Sequence, residues 1–552
     1  MRQINAGHAF DARRSLQDTA LTLERGTIAA MAGAPAGTAD DVVVLPALVN
    51  AHDHARPIRT SSVGGFARPL ELWLHRLALF APVDPYLATL APLGRAALGG
   101  QGAVMIHHVR PMGLTDLPTE AAAMARAARD IGVRIAFGVG MRDQNPLVYG
   151  DHAPVLDDLD PVARAEIEAR YLAPMLPIAE QIARVDAVAA AIAGPMVDVQ
   201  YAPNGPQWGS DALWEAIAEA SARTGRRVTT HLFETKYQRD WADRTYPGGL
   251  VKRWKEIGLL SPRLTLAHCV WARPDELEMI AEAGCVIATN TSSNLALRSG
   301  LAPVAEMAAR GCKVALGVDG QAFDEDDDAL RELRLLWSLH GGWGFDTKLS
   351  PRDALAMALE TGRIALGAPA GGQLPEGQAA DHLNHDRAAH DEDALMPVDP
   401  LELMFARATR RQIRELIVDG RSIVAHGRVL GVDLDAVHDE LRGIYRAGIA
   451  DRAGLAATLH PQRIVGAGGH GVVDGEVRQV VRAGHRVVHV RAGEQLAGIV
   501  VVLRAFHHRL AQALREAAQG RAYVSAAVSG RATSSPPATL PSRMATKVPI
   551  ST

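Results

Sequence analysis

The sequence predicts an α/β protein built on a (β/α)8 TIM-type barrel with a small flanking β-sandwich made from both chain ends. Eight apolar, β-rich runs lie between residues 41 and 320, and segments with amphipathic helical spacing separate them. Near-continuous apolar strands that alternate with helices form a parallel sheet covered by helices, and eight such units close into a barrel. The runs are DVVVLPALVNAHDH, GAVMIHHV, VRIAFGVGM, VDVQYAP, RRVTTHLFE, RLTLAHC, CVIATNTSSN and KVALGVDG.

The two ends of the chain have a different texture, with short alternating pieces and many turn residues. LTLERGTIAAMAG indicates a small hairpin near the N-terminus, and LIVDGRSIVAHGRVL has a similar pattern late in the chain. Because the chain ends of a barrel lie near each other, we expect these segments to pair into one sandwich. The predicted division is residues 1–45 and 366–430 for the two parts of the β-sandwich, 46–365 for the barrel, 431–455 for a terminal helix, and 456–552 for an extension of unknown role, disordered at 529–552.

One segment fits the sandwich poorly. DHLNHDRAAHDEDA, at residues 381–394, places histidines where a sandwich strand needs an alternating apolar face. We expect a solvated loop here. The alternative is that these histidines form a metal site of their own.

The composition of the chain indicates which partners and which cell compartment to expect. The 552 residues carry a formal net charge of −4 with no basic run, so nucleic acid is not an expected partner. The chain contains no stretch of about 18 apolar residues, and the residues MRQINAGHAFDARRS lack the apolar core typical of a signal peptide. We therefore expect a cytoplasmic protein that does not bind membranes. Cys269, Cys285 and Cys312 lie at strand-like positions and are expected to be buried thiols.

Histidine-bearing strings end several of the predicted strands. NAHDH carries His52 and His54, THLFE carries His231, LAHC carries His268, and GVDG carries Asp319. The carboxyl ends of barrel strands share one face, and an H-x-H string on a strand points both imidazoles to the same side. Imidazoles and a carboxylate with an open position are what a catalytic divalent metal needs to activate water. The ends of the first, fifth, sixth and eighth strands therefore predict a metal site.

Glu234 follows His231 by three residues, just past the end of the fifth strand. There its carboxylate can reach a metal-activated water without being a ligand, which is the placement of a general base that later returns the proton to a leaving group. An H-x-x-E string by itself is a weak signal that a surface glutamate explains better, so the prediction depends on the surrounding strings.

Taken together, NAHDH, HLFE, AHC, NTSSN and GVDG on eight β/α units resemble the amidohydrolase superfamily. The branch that the chain resembles contains cytosine deaminase and chlorohydrolase-type enzymes, including triazine hydrolases and guanine-type and S-adenosylhomocysteine-type deaminases. The resemblance covers residues 1 to about 450. It implies Glu234 as a proton shuttle, His268 as a neighbour of the activated water or the electrophilic centre, and Asp319 as a proton acceptor. The ligands that it implies for one Zn²⁺, or alternatively Fe²⁺, are His52, His54, His231 and Asp319.

The resemblance implies a mononuclear metal-dependent hydrolase that acts on carbon–nitrogen bonds other than peptide bonds. Binuclear relatives bridge two metals through a lysine or glutamate on the fourth strand, and VDVQYAP contains neither. We expect hydrolytic deamination of a small aminated N-heterocycle. The alternatives are dechlorination or amide hydrolysis of a related ring, and a catalytically silent barrel that only binds ligands. We also expect a homo-oligomer, a dimer.

Five residues are candidates for substrate contacts because they follow strands on the catalytic face: Arg142, Gln207, Trp208, Asn290 and Ser293. Trp208 could stack on a planar ring, and packing in a loop is an equal alternative. Thr291 replaces the proline of the family's N-P-x-S-N segment, which leaves the course of that loop open. His107 and His108 end the second strand, and alternation lets only one of them face inward.

Overall fold

The computed structural model describes residues 1–320, 325–369, 371–393 and 395–452. The predicted extension at 456–552 lies outside the described residues, as do residues 453–455 of the predicted terminal helix. The strands are β1 (Arg2–Phe10), β2 (Ser15–Glu24), β3 (Thr27–Gly33), β4 (Asp40–Pro46), β5 (Leu48–Asn50), β6 (Gln101–His108), β7 (Arg134–Met141), β8 (Val197–Pro203), β9 (Val228–Leu232), β10 (Leu264–His268), β11 (Val286–Thr289), β12 (Lys313–Leu316), β13 (Gly342–Trp343), β14 (Asp346–Thr347), β15 (His382–Asp386), β16 (Ile413–Val418), β17 (Arg421–Ala425) and β18 (Arg428–Val429).

Strands β5 to β12 form the barrel, and each is parallel to its neighbours in chain order. The last strand meets the first, since the Ala51 N–H donates to the Leu316 carbonyl at 2.8 Å and the Asp319 N–H donates to the His52 carbonyl at 2.9 Å. These closing bonds place the residues after β5 beside those after β12. The prediction of a (β/α)8 barrel is confirmed.

Helices cover the barrel, and they begin and end at residues that favour helix termini. Asp116 and Ser210 accept hydrogen bonds from the first turns of α3 (Leu117–Ile131) and α7 (Asp211–Thr224). Gly132 and Gly225 end those helices with a positive φ. No helix in the described part of the chain has the length and apolarity needed to cross a membrane. The helices are α1 (Leu70–Arg76), α2 (Pro85–Leu98), α3 (Leu117–Ile131), α4 (Ala153–Asp157), α5 (Pro161–Tyr171), α6 (Ile178–Ile192), α7 (Asp211–Thr224), α8 (Lys236–Thr245), α9 (Leu250–Glu256), α10 (Pro274–Glu282), α11 (Thr291–Ala296), α12 (Val304–Ala309), α13 (Ala329–His340), α14 (Pro351–Ala356), α15 (Gly362–Leu366), α16 (Arg387–His390), α17 (Pro400–Arg407) and α18 (Leu434–Ala450).

Both chain ends contribute to a second, eight-stranded sheet, as expected, with the order β18-β17-β16-β15-β4-β1-β2-β3. The first predicted run, residues 41–54, is therefore divided between two sheets. Its beginning is β4 of the second sheet, and after Pro46 the chain enters the barrel as β5. Periodicity alone cannot show this division because both halves are buried and apolar.

The expectation of a solvated loop at 381–394 is wrong for its first half. Residues His382–Asp386 form β15, which pairs with β4 on one side and β16 on the other. His382 and His385 are almost fully buried, and His385 Nδ1 lies 2.8 Å from His390 Nε2. A central position in the sheet buries these polar side chains despite their unfavourable pattern. The clusters of three or more potential metal ligands in the described residues all lie in the barrel.

A buried ion network joins the barrel to the second sheet. Asp381, which precedes β15, lies 2.9 Å from both Arg134 of β7 and Arg363 of α15. The Asp381 carboxylate also accepts the Asp419 N–H at 2.8 Å. Buried charges are tolerated only when they are paired and hydrogen-bonded in this way, and loss of one partner is strongly destabilising. The network therefore fixes the second sheet against the end of the barrel opposite the predicted site.

Candidate metal centre

The predicted metal-site residues converge at the carboxyl end of the barrel. His54 Nε2 lies 3.3 Å from His231 Nε2 and 3.4 Å from Asp319 Oδ1, and His52 Nε2 lies 3.7 Å from that same oxygen. Bonds of about 2.0–2.1 Å from zinc to nitrogen place tetrahedral neighbours about 3.4 Å apart. The His268 ring lies beside them, 5.4 Å from the rings of His52 and of His231. Side chains from four separate strand ends thus share one small volume.

Backbone carbonyls fix the orientation of two of the imidazoles. His54 Nδ1 lies 2.9 Å from the His107 carbonyl, and His231 Nδ1 lies 2.6 Å from the Asn204 carbonyl. A carbonyl only accepts, so each Nδ1 carries the hydrogen and each Nε2 presents a lone pair to the centre. Burial lowers the pKa of both histidines well below the usual value, so both rings are neutral. Two lone pairs 3.3 Å apart need a cation between them.

Several buried polar atoms at the centre have no hydrogen-bond partner among the described residues. They comprise imidazole nitrogens and carboxylate oxygens, which are common ligands of divalent metals. A buried polar atom without a partner costs about 1–3 kcal/mol, so this group of atoms favours a bound cation. The donor set therefore fits a divalent metal. The atoms are His52 Nε2, His268 Nε2, Glu234 Oε1 and Asp319 Oδ1.

Asp319 is held on its outer side, which directs one oxygen to the centre. Its Oδ2 accepts a 2.6 Å hydrogen bond from Ser293 Oγ in α11, and its backbone carbonyl accepts a 2.5 Å bond from Arg56 Nη1. The remaining oxygen, Oδ1, is the atom that lies near His52 and His54. Ser293 therefore fixes which oxygen of Asp319 is available, and Arg56 holds the backbone of Asp319 in place.

His268 connects the centre to Glu234. Its Nε2 lies 3.6 Å from Glu234 Oε2, while its Nδ1 lies 2.8 Å from Asn294 Oδ1 and 3.2 Å from Asn290 Nδ2. An amide oxygen and an amide nitrogen therefore flank the same ring atom. Either tautomer of His268 can be held, so Nε2 can accept or donate a hydrogen bond.

Glu234 is a carboxyl group in an environment that favours its neutral form. Burial raises the pKa of Glu234 well above its usual value, and the negative charges of Asp319 and Glu71 raise it further. A carboxyl group with a raised pKa can both take up and release a proton near neutral pH. This is the property required of a proton shuttle.

Backbone strain is concentrated at the strand ends of this site. Phe233, His268 and Asp319 adopt positive φ angles of 48°, 75° and 57°. Such angles cost non-glycine residues about 1–3 kcal/mol and persist where the surrounding structure determines them, which is common at functional sites. The turns re-aim Glu234, His268 and Asp319 toward the centre.

A cavity of about 560 Å³ opens over these residues. His54, His231, Glu234 and Asp319 lie at its base, and Trp208, an expected ring-stacking residue, contributes to its wall. A volume of this size suits a substrate of nucleoside dimensions. Arg142, another predicted contact residue, also lines this cavity.

The other three predicted substrate contacts lie behind the cavity wall. Gln207, Asn290 and Ser293 are fully buried and do not line the cavity. Asn290 contacts the His268 ring, and Ser293 contacts the Asp319 carboxylate, so both support site residues. As for the second strand, His107 lies beside the site while His108 bonds to Glu120 at 2.9 Å.

Sequence reasoning missed several residues of the site. Arg56 follows the H-x-H string by two residues, which was an available signal. Asn294 lies in the NTSSN string, but its contact with His268 required knowledge of α11. Glu71 comes from α1, over 160 positions from Glu234, and no local pattern connects them.

A closed (β/α)8 barrel with histidine and aspartate side chains converging at its carboxyl end defines a metal-dependent hydrolase. The chain belongs to the amidohydrolase family, whose model matches residues 43–423. The resemblance seen in the sequence is thereby confirmed.

Relatives and solved structures agree with this assignment. The chain is 28% identical over 405 residues to 5-methylthioadenosine/S-adenosylhomocysteine deaminase of Dictyoglomus thermophilum, covering 72% of this chain and 85% of the relative. It is 29% identical over 425 residues to 8-oxoguanine deaminase of Pseudomonas aeruginosa, covering 74% and 88%. A zinc-bound adenosine deaminase structure from Xanthomonas campestris has a TM-score of 0.68 at 23% identity, covering 81% of this chain and 98% of that one. Atrazine chlorohydrolase from Arthrobacter aurescens gives 0.67 at 22%, covering 81% and 100%. The two structures show a common fold.

Proposed function

We propose that this chain is a mononuclear, metal-dependent deaminase of aminated N-heterocycles, with zinc as the preferred metal and ferrous iron as the alternative. One observation carries the proposal: His54 Nε2 lies within 3.4 Å of both His231 Nε2 and Asp319 Oδ1. The buried Glu234 lies beside them. β8 contributes neither lysine nor glutamate, so the bridging ligand of a binuclear site is missing from that strand. The ligands that we assign are His52, His54, His231 and Asp319.

A divalent metal held by these ligands supplies Lewis acidity, which lowers the pKa of a coordinated water toward about 7. Glu234 lies where its carboxylate can accept the proton of the attacking water and pass it to the departing amine. Its raised pKa favours uptake of that proton in the first step and keeps the proton bound until the departing amine accepts it. Asp319, held by Ser293 on one oxygen, offers the other as a further proton acceptor.

His268 is proposed to stabilise the tetrahedral adduct formed on the substrate. With Nδ1 accepting from Asn290, its Nε2 carries a hydrogen and can donate to the developing negative charge. With Nδ1 donating to Asn294, its Nε2 returns to an acceptor. The two flanking amides thereby permit both states without moving the ring.

The proposed substrate class follows from the relatives and the cavity together. The named relatives deaminate adenosine-type and guanine-type compounds. In this chain, a cavity of about 560 Å³ with Trp208 in its wall can hold a planar heterocycle with its amine directed to the base. We therefore expect an aminopurine-type ring to be the preferred substrate.

The test is ammonia release by the zinc-loaded enzyme from aminated purines, pterins, pyrimidines and triazines, with chloride release from chlorinated triazines measured in parallel. We expect ammonia from at least one aminopurine, and Glu234→Gln should lower kcat by about 10²–10⁴-fold while metal content stays unchanged. His231→Ala should lose metal and turnover together.

The matched control for metal content is His426→Asn, because His426 is an exposed histidine in the turn between β17 and β18 and its positive φ of 50° suits asparagine. It should retain both metal and activity. Full activity in Glu234→Gln would contradict the shuttle role. Chloride release without ammonia release would replace deamination by dechlorination.

A further inference from the structure

A second buried carboxylate lies in the wall of the same cavity, and the proposed chemistry gives it no contact with the substrate. Glu71, in α1, is only 9% exposed and lines the cavity that has Glu234 at its base. Its Oε1 accepts a 2.6 Å hydrogen bond from Thr235 Oγ1 and a 3.2 Å bond from the Tyr149 hydroxyl. Its Oε2 is buried and has no hydrogen-bond partner in the described part of the chain.

The contacts of Glu71 place its carboxylate group close to the reacting end of the cavity. Thr235, which bonds to Oε1, directly follows Glu234 in the chain, and Tyr149 packs edge-on against Trp208 with ring centres 5.8 Å apart. The carboxylate thus lies between the proposed proton shuttle and the proposed stacking residue. A ring seated against Trp208 would have one edge near Glu71.

A structural role explains only one of the two oxygens of the Glu71 carboxylate. The bonds from Thr235 and Tyr149 fix α1 against the loops after β9 and β7, and both use Oε1. A glutamine would satisfy these two donors equally well through its amide oxygen. A carboxylate oxygen that is buried without a partner costs more than 1–3 kcal/mol, so its retention here requires a separate reason.

Assuming the function proposed above, we propose that Glu71 Oε2 anchors the substrate by accepting one hydrogen bond from an N–H or O–H group attached to or near the deaminated ring. Glu71 then determines specificity for substrates that carry such a donor. Oε1 already accepts two hydrogen bonds, so bidentate amidine-like recognition through both carboxylate oxygens is excluded. The donor can come from two sources, a ring N–H of a free base or a hydroxyl of an attached sugar.

The experiment measures equilibrium binding to the zinc-loaded full chain by calorimetry. The probes are purine ribonucleoside, which carries sugar hydroxyls, free purine, which carries a ring N–H, and 9-methylpurine, which carries neither donor. Because they lack the exocyclic amine, the probes report binding without ammonia release. A hydrogen bond to a charged acceptor contributes about 1.5–3 kcal/mol, which corresponds to about 10–150-fold in Kd. We expect the wild-type protein to bind the donor-bearing probe tighter by this factor, and Glu71→Gln to remove that advantage.

The pattern across probes identifies the source of the donor. If Glu71→Gln weakens binding of the ribonucleoside alone, the donor is a sugar hydroxyl. If it weakens binding of free purine alone, the donor is a ring N–H. Equal Kd values for all three probes in the wild-type protein, or an equal effect of Glu71→Gln on all three, would overturn the inference.

Two control variants separate recognition from structure. Glu120→Gln changes another buried glutamate, one that bonds to His108 and does not line this cavity, and it should keep the wild-type discrimination. Tyr149→Phe removes one donor to Oε1 and leaves Oε2 available, so it should also discriminate between probes. If the wild-type protein discriminates between the probes but releases ammonia from no aminated substrate, deamination is refuted and Glu71 remains an anchor. If it releases ammonia but binds all probes equally, deamination is supported and the role of Glu71 as an anchor is refuted.

Discussion

Substitution of Ser293 by alanine tests how the protein positions its proposed metal ligand Asp319. Ser293 was expected from sequence to contact substrate, but its hydroxyl donates to Asp319 Oδ2 at 2.6 Å from a fully buried position. Charge-assisted bonds of this length are about twice as strong as neutral ones. Without this bond Asp319 gains a second unpaired oxygen and can rotate. Loss of such an outer partner lowers metal affinity by about 10–100-fold.

The assay is competition for zinc between the protein and a chromophoric chelator. We expect the Kd for zinc to rise by about 10–100-fold in Ser293→Ala. Ser299→Ala provides the control, because Ser299 is a buried serine just beyond α11 whose hydroxyl has no hydrogen-bond partner among the described residues. An unchanged Kd for zinc together with a raised KM would refute the positioning role and restore substrate contact.

Two further predictions concern the framework around the site. Asp381→Asn should lower the free energy of unfolding at pH 7 by about 3–5 kcal/mol in urea titrations, because it leaves two buried guanidinium groups underpaired. Burial alone would raise the pKa of Asp381, but Arg363 and Arg134 lower it, so its stabilisation is present above about pH 4 and the deficit should shrink as pH falls further. A deficit independent of pH would contradict this. Gly317→Ala would place a Cβ 2.0 Å from Asn290 Oδ1, which should destabilise the fold by about 1–3 kcal/mol; unchanged stability would show that Asn290 can move away freely.

The order of strands and the meeting of the main site residues could be predicted from sequence for a physical reason. Barrel strands bring their carboxyl ends to one face whatever their spacing in the chain, so a histidine at each strand end is enough to predict convergence. His52 and His231 are 179 positions apart, yet their ring centres lie 4.8 Å apart. At these positions the histidine strings in the sequence and the order of strands in the barrel predict the same site.

Other features depend on contacts that no local pattern encodes. Ser293 and Asn290 follow a strand on the catalytic face, but the turn into α11 directs them behind the site, and only the fold reveals this. Glu71 meets Thr235 through the course of a long loop. His382 looked solvated because its neighbours are polar, whereas pairing on both sides of β15 buries it.

The most direct test of the central claim is the metal content of the purified, dialysed protein, measured by inductively coupled plasma mass spectrometry. We predict one zinc or iron per chain, retained in Glu234→Gln and lost in His231→Ala. A ratio near two, or metal retained fully in His231→Ala, would contradict a single ion held at the ends of β5, β9 and β12.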